Sequence, residues 1–382
     1  MQVEQIISKT HQAPPVTRKM KILLIGEYSN VHATLAKGLQ ALGHHVTVIS
    51  NGDFFKEYPR DIDVSRKPGK LGGILLLAKL YALLPKMRGY DVVQLINPMF
   101  FELKAERLFF FYNYLRKHNK KVFLGGYGMD WYWVHTCTYD KPLRYSDFNF
   151  GSEVRTDAEA VRYQQDWMGT AKERLNKYIA ENCDGIITGL YEYWACYHPV
   201  FPNKTTYIPY PIRMPESCMT ERANQSKVIL FIGINRERSA YKGTDIMLRA
   251  AQDLQAKYAD RMILNIAESV PFNEYQRMME GSDAILDQLY AYTPSMNPLL
   301  AMSKGIICVG GGEPENYEII NETELRPIIN VEPTYESVYH ELEQLVLHPE
   351  RIPELKRQSV EYIKKHHGLI KVAMQYIDFW NR

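Results

Sequence analysis

The sequence predicts an α/β fold of two domains, each built around a parallel sheet. Its 382 residues exceed what one ordinary α/β core requires. Short apolar runs alternate along the chain with stretches in which apolar residues recur every three or four positions, which is typical of strands followed by helices. This alternation begins twice, at 21–26 (KILLIG) and at 228–233 (VILFIG). The two openings are similar only as buried strands are, so they predict two domains without establishing a duplication.

The first domain begins with a predicted strand–helix–strand unit. The run at 21–26 is continuously apolar and ends in glycine, as buried parallel strands do. Leu35 and Leu39 then recur at helical spacing, and Gly43 ends that helix. Residues 45–50 (HVTVIS) form the next strand. Four further apolar runs predict more strands, at 90–96, 121–124, 184–188 and 206–208.

The second domain repeats the alternation. A helix with apolar residues between 246 and 254 follows the strand at 228–233, and a strand at 262–266 follows that helix. The alternation continues through three later apolar segments, at 284–286, 299–302 and 306–309. The last stretch, 360–380, has a helical pattern, and we expect it to pack back onto the first domain.

Composition predicts the boundaries of these parts. Residues 1–19 lack periodicity and the apolar core of a signal peptide, which indicates a flexible leader. The polar stretch 213–226 is the predicted linker. The first domain then comprises 20–212 together with the C-terminal helix at about 367–382, and the second domain comprises 227–366.

Charge and cysteine usage exclude several classes of protein. The chain has 46 basic and 44 acidic residues, so no basic surface for nucleic acid is expected. Its five cysteines are scattered without a C-x-x-C pair, which argues against a disulfide framework or a zinc site and predicts a cytoplasmic protein. We expect neither a metal nor another cofactor.

The loop after the first strand is the first candidate site, because ligands of open parallel sheets bind beyond the carboxyl ends of the strands. This loop, 26–30 (GEYSN), lacks the G-x-G-x-x-G pattern of dinucleotide-binding folds, which argues against a dehydrogenase. Two interpretations stay open. Ser29 or Asn30 caps the following helix, or the turn at Gly26 faces the cleft and contacts a sugar.

The loop after the first strand of the second domain is more informative. It places Arg236, Arg238 and Lys242 between a buried strand and a helix. A departing diphosphate concentrates negative charge, which fixed cations and the amides of a helix N-terminus can stabilise. The alternative is a solvated basic loop.

Two segments of the second half, 228–254 (VILFIGINRERSAYKGTDIMLRAAQDL) and 282–311 (SDAILDQLYAYTPSMNPLLAMSKGIICVGG), resemble the donor-binding segments of GT-B glycosyltransferases, especially the family 4 group. The resemblance extends from about residue 20 and implies two Rossmann-like domains that face a central cleft, with a C-terminal helix returning to the first domain. It implies transfer of a sugar from a nucleotide diphosphate sugar to a glycan or lipid-linked acceptor. Retention of anomeric configuration, independence of metal, and a role in polysaccharide or glycoconjugate biosynthesis belong to the same expectation.

The resemblance also implies roles for residues of the second half. Lys242 and one of Arg236 or Arg238 would hold the donor diphosphate, and the spacing does not decide between the two arginines. A further group of backbone amides would contact the phosphates, at Ser295, Met296 and Asn297.

One position pair departs from the family pattern. The family usually has two glutamates eight residues apart in the later segment, the second of which binds the ribose, and here these positions are Tyr292 and Leu300. Neither side chain accepts hydrogen bonds as a carboxylate does. Asp287 and Glu318 are the candidate substitutes, with a solvated or capping acid as the alternative interpretation of each.

In the first half, residues 126–130 (GYGMD) resemble the glycine-x-aspartate turn near the cleft of some relatives. This resemblance makes Asp130 and the nearby His135 candidate catalytic residues, in contact with the transferred sugar or the acceptor hydroxyl. The alternative is a turn aspartate and a packed histidine.

Residues 70–88 combine an apolar body with basic residues, and the run is too short to span a bilayer. Such a segment either lies on an anionic membrane surface or forms a core helix whose lysine stems cover apolar surface. The first interpretation would place this cytoplasmic protein at the inner face of the membrane.

Two other functions stay open beside the transferase. A nucleotide-sugar epimerase on the same architecture would need a set of acid and base side chains in the cleft. A non-catalytic sugar- or nucleotide-binding protein would explain the missing glutamates.

Overall fold

The computed structural model describes residues 18–216, 227–268 and 270–382. The predicted leader lies outside the described residues as far as residue 17, and so does most of the predicted linker, 217–226.

Thirteen strands are present in the described residues. They are β1 (Lys21–Ile25), β2 (His45–Ser50), β3 (Ile62–Asp63), β4 (Val92–Leu95), β5 (Lys121–Gly126), β6 (Asn149–Phe150), β7 (Glu153–Val154), β8 (Gly185–Thr188), β9 (Thr205–Tyr207), β10 (Val228–Ile234), β11 (Met262–Glu268), β12 (Ala284–Leu286) and β13 (Ile307–Val309).

Fifteen α-helices connect or cover these strands in the described part of the chain. They are α1 (Val31–Ala41), α2 (Gly69–Leu83), α3 (Ala105–His118), α4 (Trp131–Tyr139), α5 (Ala158–Trp167), α6 (Ala171–Asn182), α7 (Tyr191–Tyr197), α8 (Ser239–Lys242), α9 (Thr244–Lys257), α10 (Phe272–Met279), α11 (Met296–Ser303), α12 (Pro314–Ile319), α13 (Tyr335–Leu347), α14 (Ile352–Tyr362) and α15 (Leu369–Trp380). None of these helices is long and apolar enough to cross a membrane.

The first domain contains a seven-stranded parallel sheet in the order β3-β2-β1-β4-β5-β8-β9. Its interior strand β1 is apolar from Ile22 to Ile25 because helices cover both faces of the sheet, and these four side chains are completely buried. The short ribbon of β6 and β7 is antiparallel and stands apart from this sheet.

The second domain contains a four-stranded parallel sheet in the order β11-β10-β12-β13. An isolated bridge from Ile329 extends it beyond Val309. Both sheets are parallel and covered by helices, which confirms the predicted α/β fold with two Rossmann-like domains.

The C-terminal helix α15 packs on the first domain, as predicted. Trp380 donates its indole N–H to the Gln94 side chain of β4 over 3.3 Å, and the Lys121 ammonium of β5 donates to the Trp380 carbonyl over 2.8 Å. Gly38 of α1 allows the two helices to approach closely, because a Cβ there would lie 2.9 Å from the Leu369 carbonyl.

The chain returns to the first domain through a π-helical turn, Ile363–His367, rather than through a continuous helix. This turn lies against residues 210–213, the crossing through which the chain leaves the first domain. The Ile212 amide donates to the His367 carbonyl over 2.8 Å, and the His367 imidazole donates to the Tyr210 carbonyl over 2.9 Å. The two segments that join the domains are therefore hydrogen-bonded to each other.

Candidate functional site

The strand order of the second sheet determines where a ligand can bind. Strand β10 is first in the chain but lies between β11 and β12, so the loops after β10 and β12 leave the sheet in opposite directions and open a crevice between them. A cavity of about 440 Å³ lies at this point, within the roughly 300–1,000 Å³ range of small-molecule sites. The first domain and the crossing also contribute to its wall, through Ser29, Asn30, Thr34, Phe55, Lys56, Tyr58, Pro211, Ile212 and Arg213.

Lys242, at the end of α8, lines this cavity. The next residue, Gly243, has a φ of 72° and lies so close to the loop after β12 that a Cβ would be 2.8 Å from the Leu289 Cβ. The Leu289 amide also donates to the Lys242 carbonyl over 3.0 Å. The glycine and this hydrogen bond together hold Lys242 between the two loops of the crevice.

Within the described ranges, no close carboxylate neutralises the charge of Lys242. Among the described residues, no carboxylate oxygen lies within 4.0 Å of the Lys242 ammonium nitrogen, the largest distance at which the two groups form a salt bridge. Burial lowers the pKa of Lys242, and the attraction of Asp287 partly opposes that change.

Asp287 directly follows β12 and lines the same cavity. Burial raises the pKa of its carboxyl to about 6, and the positive charge of Lys242 partly lowers it. Burial thus disfavours the charged form of both groups, and shifts of this kind concentrate at functional sites.

The N-terminus of α11 forms another wall of the cavity, through Ser295, Met296 and Asn297. Ser295 is the N-cap residue, and its side chain does not accept a capping hydrogen bond. The first amides of a helix have no partner within that helix and point along its positive dipole end. The Asn297 side chain is positioned by a 2.7 Å hydrogen bond that it donates to the Tyr275 hydroxyl. This helix end offers amides to an anion in the cavity.

The two arginines of the β10 loop do not line the cavity. Arg236 is 80% exposed and pairs with Glu268, with a 3.1 Å hydrogen bond from Nη2. The pairing follows from the register, which places Ile234 opposite Glu268 in adjacent strands. Arg238 pairs over 3.0 Å with Glu159 of the first domain. Arg236 pairs with Glu268 outside the cavity lining, whereas Arg238 is near enough to Lys242 for its positive charge to lower the pKa of that lysine.

Four other residues predicted for the site lie outside the described cavity lining. Gly26 ends β1 with a φ of 84°, and a Cβ there would lie 2.2 Å from a side-chain carbon of Ile96, so this glycine permits close packing within the first domain. Asp130 is completely buried and caps α4, accepting from the Trp133 amide over 2.9 Å and the Tyr197 hydroxyl over 2.7 Å. His135 packs between the rings of Trp131 and Tyr139, and Glu318 lies on α12.

Asp130 therefore caps a helix and His135 packs between aromatic rings, which is the alternative that the sequence left open for these two residues. Burial raises the pKa of Asp130 to about 7. That shift arises from burial in the first domain, and Asp130 is not among the residues that line the cavity.

Ser29 and Asn30 line the cavity, and neither caps α1. Asn30 occupies the N-cap position with a φ of 73° and makes no side-chain capping hydrogen bond. Glu27 supplies the cap instead, because its two side-chain oxygens accept from the Ala33 amide over 2.8 Å and the His32 amide over 3.3 Å. Glu27 is a capping residue that sequence reasoning missed.

Sequence reasoning also missed the cations on the first-domain side of the cavity. The Lys56 ammonium lies 2.6 Å from Asp53 and 3.4 Å from the Ser29 hydroxyl. This loop follows β2, a neighbour of β1, so the same rule of strand ends could have indicated it. Arg213 lies on the crossing between the domains, and no local pattern marks it.

The two positions of the missing glutamates have different environments. Leu300 lines the cavity and gives it an apolar wall. Tyr292 is buried at the contact between the domains, where its hydroxyl accepts from the Arg144 amide over 2.7 Å and its ring lies 4.9 Å from that of Tyr145.

The contact between the domains continues on both sides of Tyr292. Glu192 of the first domain accepts from the backbone amides of Tyr292 and Thr293. Arg144 pairs with Glu313 over 2.7 Å and with Glu315 over 2.5 Å. Glu192 thus fixes the segment that leads into α11, and Arg144 fixes the start of α12.

The sequence contains one D-x-D triplet, at 61–63, in the first domain. The Asp61 carboxylate accepts from the Val48 amide over 2.7 Å, and the Asp63 carboxylate accepts from Arg60 over 2.8 Å. In the described ranges, no three His, Cys, Asp or Glu side chains are grouped as metal ligands would be.

No protein-family model matches the chain, and no curated protein matches it in sequence. Solved structures do match it. Sucrose-phosphate synthase from Thermosynechococcus elongatus has a TM-score of 0.59 at 14% identity, covering 95% of this chain and 98% of that one. The Anabaena protein HepE, in complex with UDP and glucose, has a TM-score of 0.56 at 11% identity, covering 94% and 99%.

A putative UDP-N-acetylglucosamine 2-epimerase from Listeria monocytogenes has a TM-score of 0.54 at 10% identity, covering 94% of this chain and 95% of that one. At such identities the likeness establishes the fold alone. The chain therefore has the two-domain GT-B fold that glycosyltransferases share with UDP-N-acetylglucosamine 2-epimerases.

Proposed function

We propose that this protein is a glycosyltransferase that binds a nucleotide diphosphate sugar in the cavity at the ends of β10 and β12. The observation that carries the proposal is the position of Lys242, a cavity-lining lysine without a close carboxylate among the described residues, in a cavity that the N-terminus of α11 also lines. A cation and helix amides together suit the two charges of a diphosphate.

In this proposal the same groups serve binding and catalysis. Negative charge grows on the diphosphate as its bond to the sugar breaks, and Lys242 with the amides of α11 stabilises that charge without reorganising. Asp287 accepts a hydrogen bond from a hydroxyl of the donor, in place of one of the missing glutamates. The apolar side chain of Leu300 packs against the donor rather than binding the ribose hydroxyls.

The acceptor enters from the first-domain side, where Lys56 and Tyr58 line the cavity. A glycan or glycolipid acceptor, retention of anomeric configuration and independence of metal are the parts of this proposal that come from the resemblance to family 4. The known structure of HepE with UDP and glucose makes a uridine donor the first to test.

An epimerase is the second candidate, since the Listeria protein of similar fold is described as one. Such a reaction moves protons on and off the sugar and needs several acid or base groups around it. Asp287 is the only carboxylate among the described residues of the cavity lining, and no histidine is among them. This composition favours the transferase.

The experiment is a thermal-shift panel of UDP, GDP, ADP and CMP with their sugar conjugates, on the wild type and on Lys242→Met. A ligand that binds the native state raises its apparent stability. We expect one nucleoside diphosphate and its sugar conjugate to stabilise the wild type and to lose that effect in Lys242→Met. Lys117→Met, an exposed lysine of α3, is the matched control and should respond as the wild type does.

Turnover then distinguishes the candidates. A transferase releases nucleotide in proportion to added acceptor, whereas an epimerase changes the sugar configuration without any acceptor. A wild type that no member of the panel stabilises would contradict the proposed donor site.

A further inference from the structure

Helix α2 exposes apolar side chains on the face that points away from the protein. Its inner face packs into the core through Leu76 and Leu80. Its outer face carries Leu71, Ile74 and Leu75, which are 66%, 63% and 52% exposed and follow one another at the spacing of one helix face. A helix that is apolar all round is normally covered on all sides.

The apolar surface continues onto α3. Tyr81, two turns after Ile74, is exposed, and its ring lies 5.2 Å from the exposed ring of Phe110. Single exposed apolar residues are common on proteins, but a contiguous group of this kind marks an interaction surface.

The charged side chains within the segment 66–88 have one sign. Residues 66–88 contain six basic residues and no acidic one, although the whole chain has a net charge of only +2. All six are exposed, and they are Arg66, Lys67, Lys70, Lys79, Lys86 and Arg88. The partner must therefore be anionic and must also accept apolar side chains.

We propose that the outer face of α2, with Tyr81, Phe110 and these six basic residues, docks on the surface of an anionic phospholipid bilayer. The helix lies in the plane of the interface, with Leu71, Ile74 and Leu75 among the acyl chains and the basic side chains at the lipid phosphates. Docking of a second copy of the chain is disfavoured, because a symmetric dimer would bring the two sets of positive charges together.

The docking surface is connected to the cavity by a chain of ion pairs. Lys79 of α2 lies 3.8 Å from Asp63, which pairs with Arg60, and Arg60 pairs with Glu57. Glu57 follows the turn that contains Phe55, an exposed residue on the cavity rim. This inference rests on the proposed function where it concerns the acceptor, which it identifies as lipid-linked.

The test is flotation of the whole chain with vesicles of phosphatidylcholine alone and of phosphatidylcholine with phosphatidylglycerol at about 7:3. We expect flotation only with the anionic vesicles, weakening as salt is raised. Neutralising Lys67, Lys70 and Lys86 with glutamine should lower the partition coefficient roughly 100-fold. Replacing Leu71, Ile74 and Leu75 with glutamine should lower it to a comparable extent.

The matched control replaces three exposed apolar residues elsewhere, Val200, Ile370 and Met374, with glutamine and should float as the wild type does. The proposal is overturned if the wild type does not float, if the apolar variant floats equally well, or if light scattering shows a dimer that the α2 variants dissociate. Nucleotide thermal shifts on the same variants separate the two ideas. If nucleotides still stabilise the protein but it does not float with vesicles, only the membrane proposal is contradicted. If the protein floats but no nucleotide stabilises it, only the donor-site proposal is contradicted.

Discussion

Glu192 of the first domain holds Thr293 of the second domain through two hydrogen bonds. The Thr293 hydroxyl donates to the Glu192 carboxylate over 2.6 Å, and the Thr293 amide donates to it over 3.1 Å. Thr293 precedes the N-terminus of α11, which lines the cavity. A buried acid of one domain thereby fixes the approach to the predicted phosphate site of the other.

Replacement of Glu192 should therefore affect both stability and donor binding. Glu192→Ala leaves the buried amides of Tyr292 and Thr293 without their acceptor, and we expect a destabilisation of roughly 1–3 kcal/mol. The midpoint of thermal unfolding measures this change, and titration with the stabilising nucleotide should show weaker binding. Glu354→Ala, at an exposed glutamate of α14, is the control. Equal midpoints for the two variants would show that the contact contributes little.

The affinity for the donor should fall at alkaline pH, because Lys242 binds the diphosphate only while it is protonated. Burial lowers the pKa of Lys242, and the carboxylate of Asp287 raises it. Asp287→Asn removes the second effect, so the fall in affinity should begin at a lower pH than in the wild type. Calorimetric titration between about pH 7 and 10 checks this order, and a fall that moves to higher pH would contradict it.

The contribution of Glu27 to the stability of the protein should decrease as pH rises from about 4.5 to 8. Burial raises the pKa of Glu27 to about 8, whereas the carboxyl of the unfolded chain titrates near 4.5. In that window the folded state retains a proton that the unfolded state has lost, so rising pH favours unfolding until the loss is complete above pH 8. Glu27→Gln should flatten this part of the curve of unfolding midpoint against pH. Glu336→Gln, an exposed glutamate in the first turn of α13, should leave its slope unchanged.

Two glycine-to-alanine substitutions should change stability in opposite directions, because only Gly38 lies where α15 packs closely on α1. In Gly38→Ala the new methyl group would lie 2.9 Å from the Leu369 carbonyl and 3.0 Å from the Ala373 Cβ, and we expect a destabilisation of about 1–3 kcal/mol. In Gly73→Ala the nearest atom is 3.4 Å away on the flexible Arg66 side chain, so the better helix propensity of alanine should stabilise α2 by about 1 kcal/mol. Unfolding midpoints that shift in the same direction would contradict this interpretation.

The strands could be predicted from the sequence because both faces of each parallel sheet are buried. The runs at 21–26 and 228–233 are mostly apolar to satisfy that environment; the first contains β1, and the second covers β10 except for its last residue. The π-helical turn Ile363–His367 could not be predicted, since its shape depends on hydrogen bonds to Tyr210 and Ile212 more than 150 residues away.

The candidate site could be predicted in part from strand ends, and in part from the resemblance that indicated the N-terminus of α11. Lys242 lies in the connection after β10, and Asp287 directly follows β12. Because these two strands are neighbours in the sheet, both residues line one cavity. The interactions of Arg236 and Arg238 depend instead on the register with β11 and on Glu159 of the other domain. Local sequence does not encode contacts of that kind.

The two crossings between the domains run side by side, joined by the parallel bridge between Ile212 and Gly368. The bridge and the hydrogen bonds beside it tie the two crossings together, so a change in the backbone dihedral angles of one crossing would displace the other as well. Arg213 adjoins Ile212 and lines the cavity, so a movement at the crossings would also shift a cation of the cavity wall.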